Sequence, residues 1–232
     1  MILGIIGAME EEVDKLKADM DNVTITSKAS MDFYEGTLFG KNVVVVRSGI
    51  GKVNAGICAH ILADTFKVDA IINTGIAGSL NNDINIGDIV ISTDTLEHDV
   101  DAVAFGYEPG QIPRMEVLAF PADKGMIEAA KKACSKACPD IGVFTGRVVS
   151  GDQFVADSAT KNRIKDNFAG YCTEMEGAAI GHAAYLNNIP YIVVRAISDK
   201  ADDSASVDYP TFEKEAINNL VNMIREYVKS FE

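Results

Sequence analysis

The chain has 232 residues, 47% of them apolar and 24% charged, which suits one α/β domain with a sizeable core. A formal net charge of −13, with no block of basic residues, excludes nucleic-acid binding through a basic surface. No apolar run approaches a membrane span and the first residues lack the basic start of a signal peptide, so no membrane partner and a cytoplasmic home are expected.

The opening, "MILGIIGAMEEEVDKL", reads as a buried strand over 2–7, a Gly-Ala turn, and a helix over 10–20 that begins with three glutamates. Acidic residues favour a helix's first turn through its dipole. Three in a row would repel the phosphate that often sits at such a turn, so one of them is a candidate acid or base facing a pocket. Strands over 31–38 and 41–48 flank Phe39-Gly40 and read as an antiparallel hairpin. "SGIGKVNAG" then turns into a helix over 51–66, and a strand over 69–75 runs into "NTGIAGSL". A strand over 87–94 follows. The segment 96–121 carries aromatics with Pro109, Gly110 and Pro113, and its length marks a functional or partner-docked loop.

Further on, a helix over 123–137 precedes a strand over 142–150 that ends in "SGDQFV". After a helix over 158–167, "CTEMEGAAI" leads into a helix over 175–188. A strand over 190–196 runs into "RAISDKADD", and a helix over 210–229 closes the chain. The alternation implies a mixed, mostly parallel central sheet flanked by helices, a single domain over 1–232. Cys58, Cys134, Cys138 and Cys172 form no C-x-x-C pair, and His60, His98 and His182 lack metal spacing. Buried, reduced thiols, no metal and no cofactor are expected.

The strand ends hold the chemistry-bearing residues. Each has an ordinary explanation: glycine turns permit unusual backbone angles, Asp199 could cap a helix, and "EME" could be a solvated turn. Together they imply one crevice at the carboxyl edge of the sheet, with several carboxylates, one arginine and glycine amides. Such a crevice suits a neutral or cationic ligand with hydroxyls and ring nitrogens, because carboxylates grip hydroxyls and a protonated carboxyl can deliver a proton to a heterocycle.

"GIIGAMEEEV", "SGIGKVNA", "INTGIAG", "VSGDQF", "EMEGAAI" and "VVRAISDKAD" occur in an order and spacing that resemble the 5′-methylthioadenosine/S-adenosylhomocysteine nucleosidases of the nucleoside phosphorylase-I superfamily. The resemblance runs from Met1 to about Glu226. It implies a nucleoside phosphorylase-like fold and hydrolysis of the bond between adenine N9 and ribose C1′. Asp199 matches the general acid at adenine N7, with Ser198 beside it. Glu12 matches the carboxylate that activates water, which would explain the acidic first turn. Glu176 matches the glutamate that binds ribose hydroxyls and Met175 the methionine beneath the sugar. Glu174 and Arg195 match residues near the water. Phe154 matches the aromatic stacked on adenine, and the Val155 backbone is expected at the base edge. Met9, Ile50 and Tyr209 align with the apolar wall for ribose and the 5′ substituent, and Ala77 and Gly78 with the loop beneath ribose and base.

The resemblance also implies a homodimer in which 96–121 helps close the partner's 5′ pocket through Phe105 and Pro113. Ile76 departs from a serine found in some relatives, and Tyr209 from a common phenylalanine. Three alternatives remain at this level: a phosphorolytic nucleoside phosphorylase, a futalosine-type hydrolase, and a non-catalytic nucleoside-binding protein.

Overall fold

The computed structural model describes residues 1–231. The strands are β1 (Ile2–Gly7), β2 (Asp21–Lys28), β3 (Met31–Leu38), β4 (Lys41–Arg47), β5 (Ala70–Ser79), β6 (Ile89–Glu97), β7 (Phe120–Pro121), β8 (Val143–Ser150), β9 (Cys172–Glu174) and β10 (Tyr191–Asp199). The helices are α1 (Asp14–Ala18), α2 (Lys52–Asp64), α3 (Lys124–Ala137), α4 (Ser158–Phe168), α5 (Gly177–Asn187) and α6 (Ala205–Ser230).

β5 lies at the centre and pairs in parallel with β1 and β10, and its ten residues are all buried. Isoleucines at its start suit a strand covered on both faces. β10, β6, β8 and β9 run on from it in hydrogen-bonded order, and β9 returns to β5, so these five strands close a ring. β1, β4, β3 and β2 extend from β5 as an open wing. The wing ends in the expected hairpin: β3 and β4 are antiparallel, and Phe39 and Gly40 turn with φ of 50° and 77°. Around the sheet α2 packs against α5, and α3 against α6. Asp123 and Asp157 cap α3 and α4, accepting from the amides of Met126 and Thr160 at 2.8 Å each.

Several expectations change. The helix expected over 10–20 is a 3₁₀ turn at Glu10–Glu12 followed by the five-residue α1. The break has a cause: the Glu12 side chain reaches back to the amides of Ala8 and Met9 instead of pointing along a helix. The last helix begins at Ala205, not 210, and contains Pro210 near its start. Proline cannot donate the bond that residue 206 would accept, a loss tolerated close to a helix end. β5, β6 and β10 each run further than their apolar stretches suggest. In 96–121 the regular pieces are the end of β6, a 3₁₀ turn at Val103–Phe105 and the two-residue β7, while Ile112, Met115 and Val117 pack on the main core. All four cysteines are free and buried. Among the described residues no helix is long and apolar enough to cross a membrane.

Candidate active site

The carboxyl ends of β1, β4, β5 and β10, with the turn after β9, surround a cavity of about 650 Å³, a size that suits a nucleoside-scale ligand. Twelve of the anticipated residues line it: Met9, Glu12, Ile50, Ala77, Gly78, Phe154, Glu174, Met175, Glu176, Ser198, Asp199 and Tyr209.

Glu12 is 5% exposed. Its Oε2 accepts from the amides of Ala8 at 2.7 Å and Met9 at 3.0 Å, and its Oε1 from the amide of Ile76 at 3.1 Å. The backbone amides that might cradle a phosphate at this turn are therefore bonded to a side-chain carboxylate. Burial pushes the Glu12 pKa above its ordinary range, against the pull of Arg195. Glu10 and Glu11 are exposed, and Glu10 pairs with Lys17 at 2.7 Å and Arg47 at 3.6 Å.

Arg195 does not line the cavity; it lies buried next to it. Its Nη2 donates to Asn73 Oδ1 at 2.6 Å and to Glu174, and lies 4.0 Å from Glu176 Oε2. Glu174 also accepts from the Ser150 hydroxyl, and its Oε2 takes the amides of Glu176 at 3.1 Å and Gly177 at 2.7 Å. Burial alone would raise its pKa, but Arg195 and these donors hold it below the usual carboxylate range. Glu174 thus fastens the start of α5 and the arginine. Glu176 has one protein donor, the Gly51 amide at 2.8 Å, and its other oxygen is far less engaged. Burial first and Glu174 second push Glu176 up to about 7.

Asp199, at the end of β10, lines the cavity and is 2% exposed. Its Oδ1 accepts from the Ala201 amide at 2.7 Å and its Oδ2 from the Ser198 hydroxyl at 2.8 Å. Burial raises its pKa, with the charges of Asp208 and Asp202 adding to the effect. A carboxyl so placed holds a proton more readily than a solvated one. The two carboxyl groups depend on two glycines of β5. In the strand register Gly75 faces Arg195 and Gly78 faces Asp199, with a bulge between Ile197 and Asp199 that re-aims the Asp199 carboxyl. A Cβ at Gly75 would come within 2.4 Å of Glu12 Oε1 and 2.6 Å of Arg195 Nη1, and one at Gly78 within 2.7 Å of Asp199 Oδ1.

The apolar wall is built from Met9, Ile50, Phe154, Met175 and Tyr209. Phe154 meets Tyr209 edge-on, with ring centroids 5.8 Å apart and planes at 85°. The Tyr209 hydroxyl bonds Glu213 Oε1 at 3.1 Å and approaches Met9 Sδ at 3.4 Å.

Three anticipated residues lie elsewhere. Val155 directly follows Phe154, and its side chain is buried in a second apolar cluster with Leu80, Ile164, Phe168 and Ala201, outside the lining, whereas the expectation at the base edge concerns its backbone. Phe105, 84% exposed, and Pro113, also exposed, lie outside the lining, on the first half of the long loop and near its middle. Ala8, Thr173, Ser206 and Pro210 line the cavity without having been singled out in the sequence. Ser206 was hidden because the last helix was expected to begin only at 210. Ile76 lines the cavity and serves Glu12 through its backbone, which no side-chain pattern reveals. Among the described residues no cluster of histidine, cysteine or acidic side chains has the arrangement of a metal site.

Residues 2–229 match the family model of the phosphorylase superfamily. A 5′-methylthioadenosine/S-adenosylhomocysteine nucleosidase of an Exiguobacterium strain is 42% identical, over 100% of this chain and 99% of its own. The structure of a nucleosidase of the same name from Neisseria meningitidis, in complex with methylthio-immucillin-A, superposes with a TM-score of 0.95 at 41% identity, covering 99% of each chain. The futalosine hydrolase of Helicobacter pylori shares the architecture, with a TM-score of 0.94, at 28% identity over 100% of this chain and 98% of its own. The chain belongs to the phosphorylase superfamily and, within it, to the 5′-methylthioadenosine/S-adenosylhomocysteine nucleosidases.

Proposed function

We propose that this protein hydrolyses the N-glycosidic bond of 5′-methylthioadenosine and S-adenosylhomocysteine, and also of 5′-deoxyadenosine, releasing adenine and the 5′-substituted ribose. One observation carries the choice of hydrolysis over phosphorolysis: Glu12 occupies the amides of the first turn. Phosphate would have to displace a buried carboxylate to reach them, against electrostatic repulsion.

In this reading Asp199 donates its proton to adenine N7 as the C1′–N9 bond breaks and its electron pair moves into the base. Water adds to C1′ and Glu12 takes the water's proton. The raised pKa of each carboxyl suits its task, since one must hold a proton before the bond breaks and the other must accept one afterwards. Glu176, which lines the cavity and has one oxygen with no protein hydrogen-bond donor among the described residues, accepts from the ribose hydroxyls. Phe154 packs on the base and Met175 beneath the sugar. The 5′ group lies against Met9, Ile50 and Tyr209.

We also propose a homodimer. Its support is the exposed apolar surface of Phe105 and Val103 on the long loop and of Val53, Ile57 and Leu186 on α2 and α5. A second copy would cover these side chains and bring Phe105 and Pro113 to the partner's 5′ pocket.

The test is adenine release in phosphate-free buffer containing chelator, with the sugar product identified by mass spectrometry. Free 5-methylthioribose is expected, and a ribose 1-phosphate in phosphate buffer would overturn the proposal. Futalosine in the same assay separates the second reading, which the shared fold of the Helicobacter hydrolase supports and its lower identity weakens.

A further inference from the structure

Asp199 is held by a peptide group that is itself gripped from its other side. The N–H of the peptide joining Lys200 to Ala201 donates to Asp199 Oδ1 at 2.7 Å. The carbonyl of that same peptide accepts from Lys161 Nζ at 2.6 Å. Lys161 is on α4 and only 6% exposed. Its ammonium also lies 3.5 Å from Asp202 Oδ2, a partly exposed partner.

Two features make this contact more than a fastening of convenience. The buried positions of α4 are Lys161, Ile164 and Phe168, so a lysine occupies the stripe where an amphipathic helix places an apolar residue. Burying an ammonium is costly unless it is well bonded. Ala201, for its part, is fully buried with φ of 51°, a left-handed conformation that side-chain-bearing residues adopt only when their surroundings impose it. The Lys161–carbonyl bond and the Asp199–amide bond fix the peptide just before that residue from both ends.

We propose that Lys161 is a positioning residue for the general acid, acting on Asp199 through a single peptide plane. The inference rests on the reading of Asp199 as the acid. A cation on the carbonyl polarises the peptide and strengthens its N–H as a donor. It also orients the plane so that the N–H meets Oδ1, leaving the carboxyl fixed to deliver its proton toward the base. Without Lys161 the strained turn relaxes, and the acid loses its aim while the sugar-binding and water-activating side of the cavity is untouched.

The experiment compares two leaving groups. Lys161→Met keeps the length and apolar stem of the side chain and removes the charge. It is assayed with 5′-methylthioadenosine and with the 4-nitrophenyl glycoside of 5-methylthioribose, whose phenolate departs without a proton. Asp199→Asn is run alongside. The expected result is a fall in kcat of about ten- to a hundredfold with 5′-methylthioadenosine, less than about threefold with the nitrophenyl glycoside, and recovery of most of the loss in Lys161→Arg. Should Lys161→Met fail to fold, Lys161→Gln, which keeps a donor but ends short of the carbonyl, carries the same expectation. Equal losses on both substrates, or no loss on either, would overturn the proposal. If Asp199→Asn shows the leaving-group dependence and the lysine variants do not, only the role of Lys161 fails. If Asp199→Asn itself shows none, the reading of the acid fails and this inference with it.

Discussion

Gly75→Ala is the smallest change that should disturb Glu12, the carboxylate proposed to activate water. The added methyl would lie 2.4 Å from Glu12 Oε1, 2.6 Å from Arg195 Nη1 and 3.0 Å from Glu12 Cδ. Such contacts require the carboxylate or the strand to move by about 1 Å. Arg195 cannot yield easily, because it is bonded to Asn73 and Glu174 on its other nitrogen. Glu12 must therefore give, and its bonds to the amides of Ala8, Met9 and Ile76 stretch or break. A misplacement of that size costs about a hundredfold in rate. Stability should change less. Alanine in a strand interior gains roughly 0.5–1 kcal/mol over glycine, while overpacking costs about 1–3 kcal/mol. The variant should thus fold, lose up to about 2 kcal/mol and retain adenine binding, since the atoms nearest the added methyl belong to Glu12 and Arg195, not Asp199. Stopped-flow or coupled detection of adenine release, with a denaturant curve on the same sample, tests each part. A variant within about threefold of the parent rate would refute the claim that the Glu12 position limits the reaction.

Gly78→Ala should injure the acid instead, since its methyl would meet Asp199 Oδ1 at 2.7 Å and Ala201 Cβ at 2.8 Å. It should lose activity on adenine nucleosides but keep most of it on the 4-nitrophenyl glycoside, the opposite of Gly75→Ala, which should lose both. Stability of the ligand-free protein should fall as pH rises from about 4.5 to about 7, because Glu176 keeps to about 7 in the fold a proton that the unfolded chain releases near its ordinary value of 4.5. The difference is ~3 kcal/mol for that one group; Glu12 and Asp199 act in the same direction, His98, whose pKa burial holds low, opposes them, and Glu97, Asp99 and Glu174, also held low, titrate below this window. Urea unfolding at pH 5 and pH 8 measures the fall, Glu176→Gln should flatten it, and a rise in stability over that range would contradict the assignment. The chain should sediment as a dimer at micromolar concentration, with Phe105→Ala raising KM several-fold at little cost in kcat; a monomer of full activity would count decisively against the shared pocket.

The sequence marked the sheet best where strand ends are sharply punctuated. β1, β3 and β4 keep their expected bounds to within a residue, because their ends are marked by glycine or charge. β2 escaped notice because all eight of its residues are exposed at the sheet edge, so no alternation records which face is buried. β7 and β9 have two and three residues, too short for any period to register. More telling are the ends of β5 and β10. Gly75–Ser79 and Ile197–Asp199 carry glycine, serine and aspartate, so they read as turns, yet they stay in the sheet and pair with each other and with β9. Local propensity fails there because the residues are chosen for the cavity, and tertiary pairing holds the backbone regardless.

The same reasoning explains which parts of the site were legible. Carboxylates, the arginine and the aromatics announce themselves by residue type within motifs. Their supports do not, because a support is a spatial relation. Gly75 matters for the room it leaves between Glu12 and Arg195, and the Ile76 backbone matters for an amide that any residue could supply. The supports also sort three nearby glutamates that residue type alone leaves equivalent. Glu174 is surrounded by an arginine, a hydroxyl and two amides and stays ionised as a structural anion. Glu12 is held by amides on both oxygens, in a site where burial favours a proton. Glu176 is fixed by a single amide, which leaves acceptor capacity for hydroxyls entering the cavity. Their different roles therefore follow from how many donors each carboxylate has already met within the protein. A ligand can recruit Glu176 without breaking a protein bond, whereas recruiting Glu174 would dismantle the start of α5.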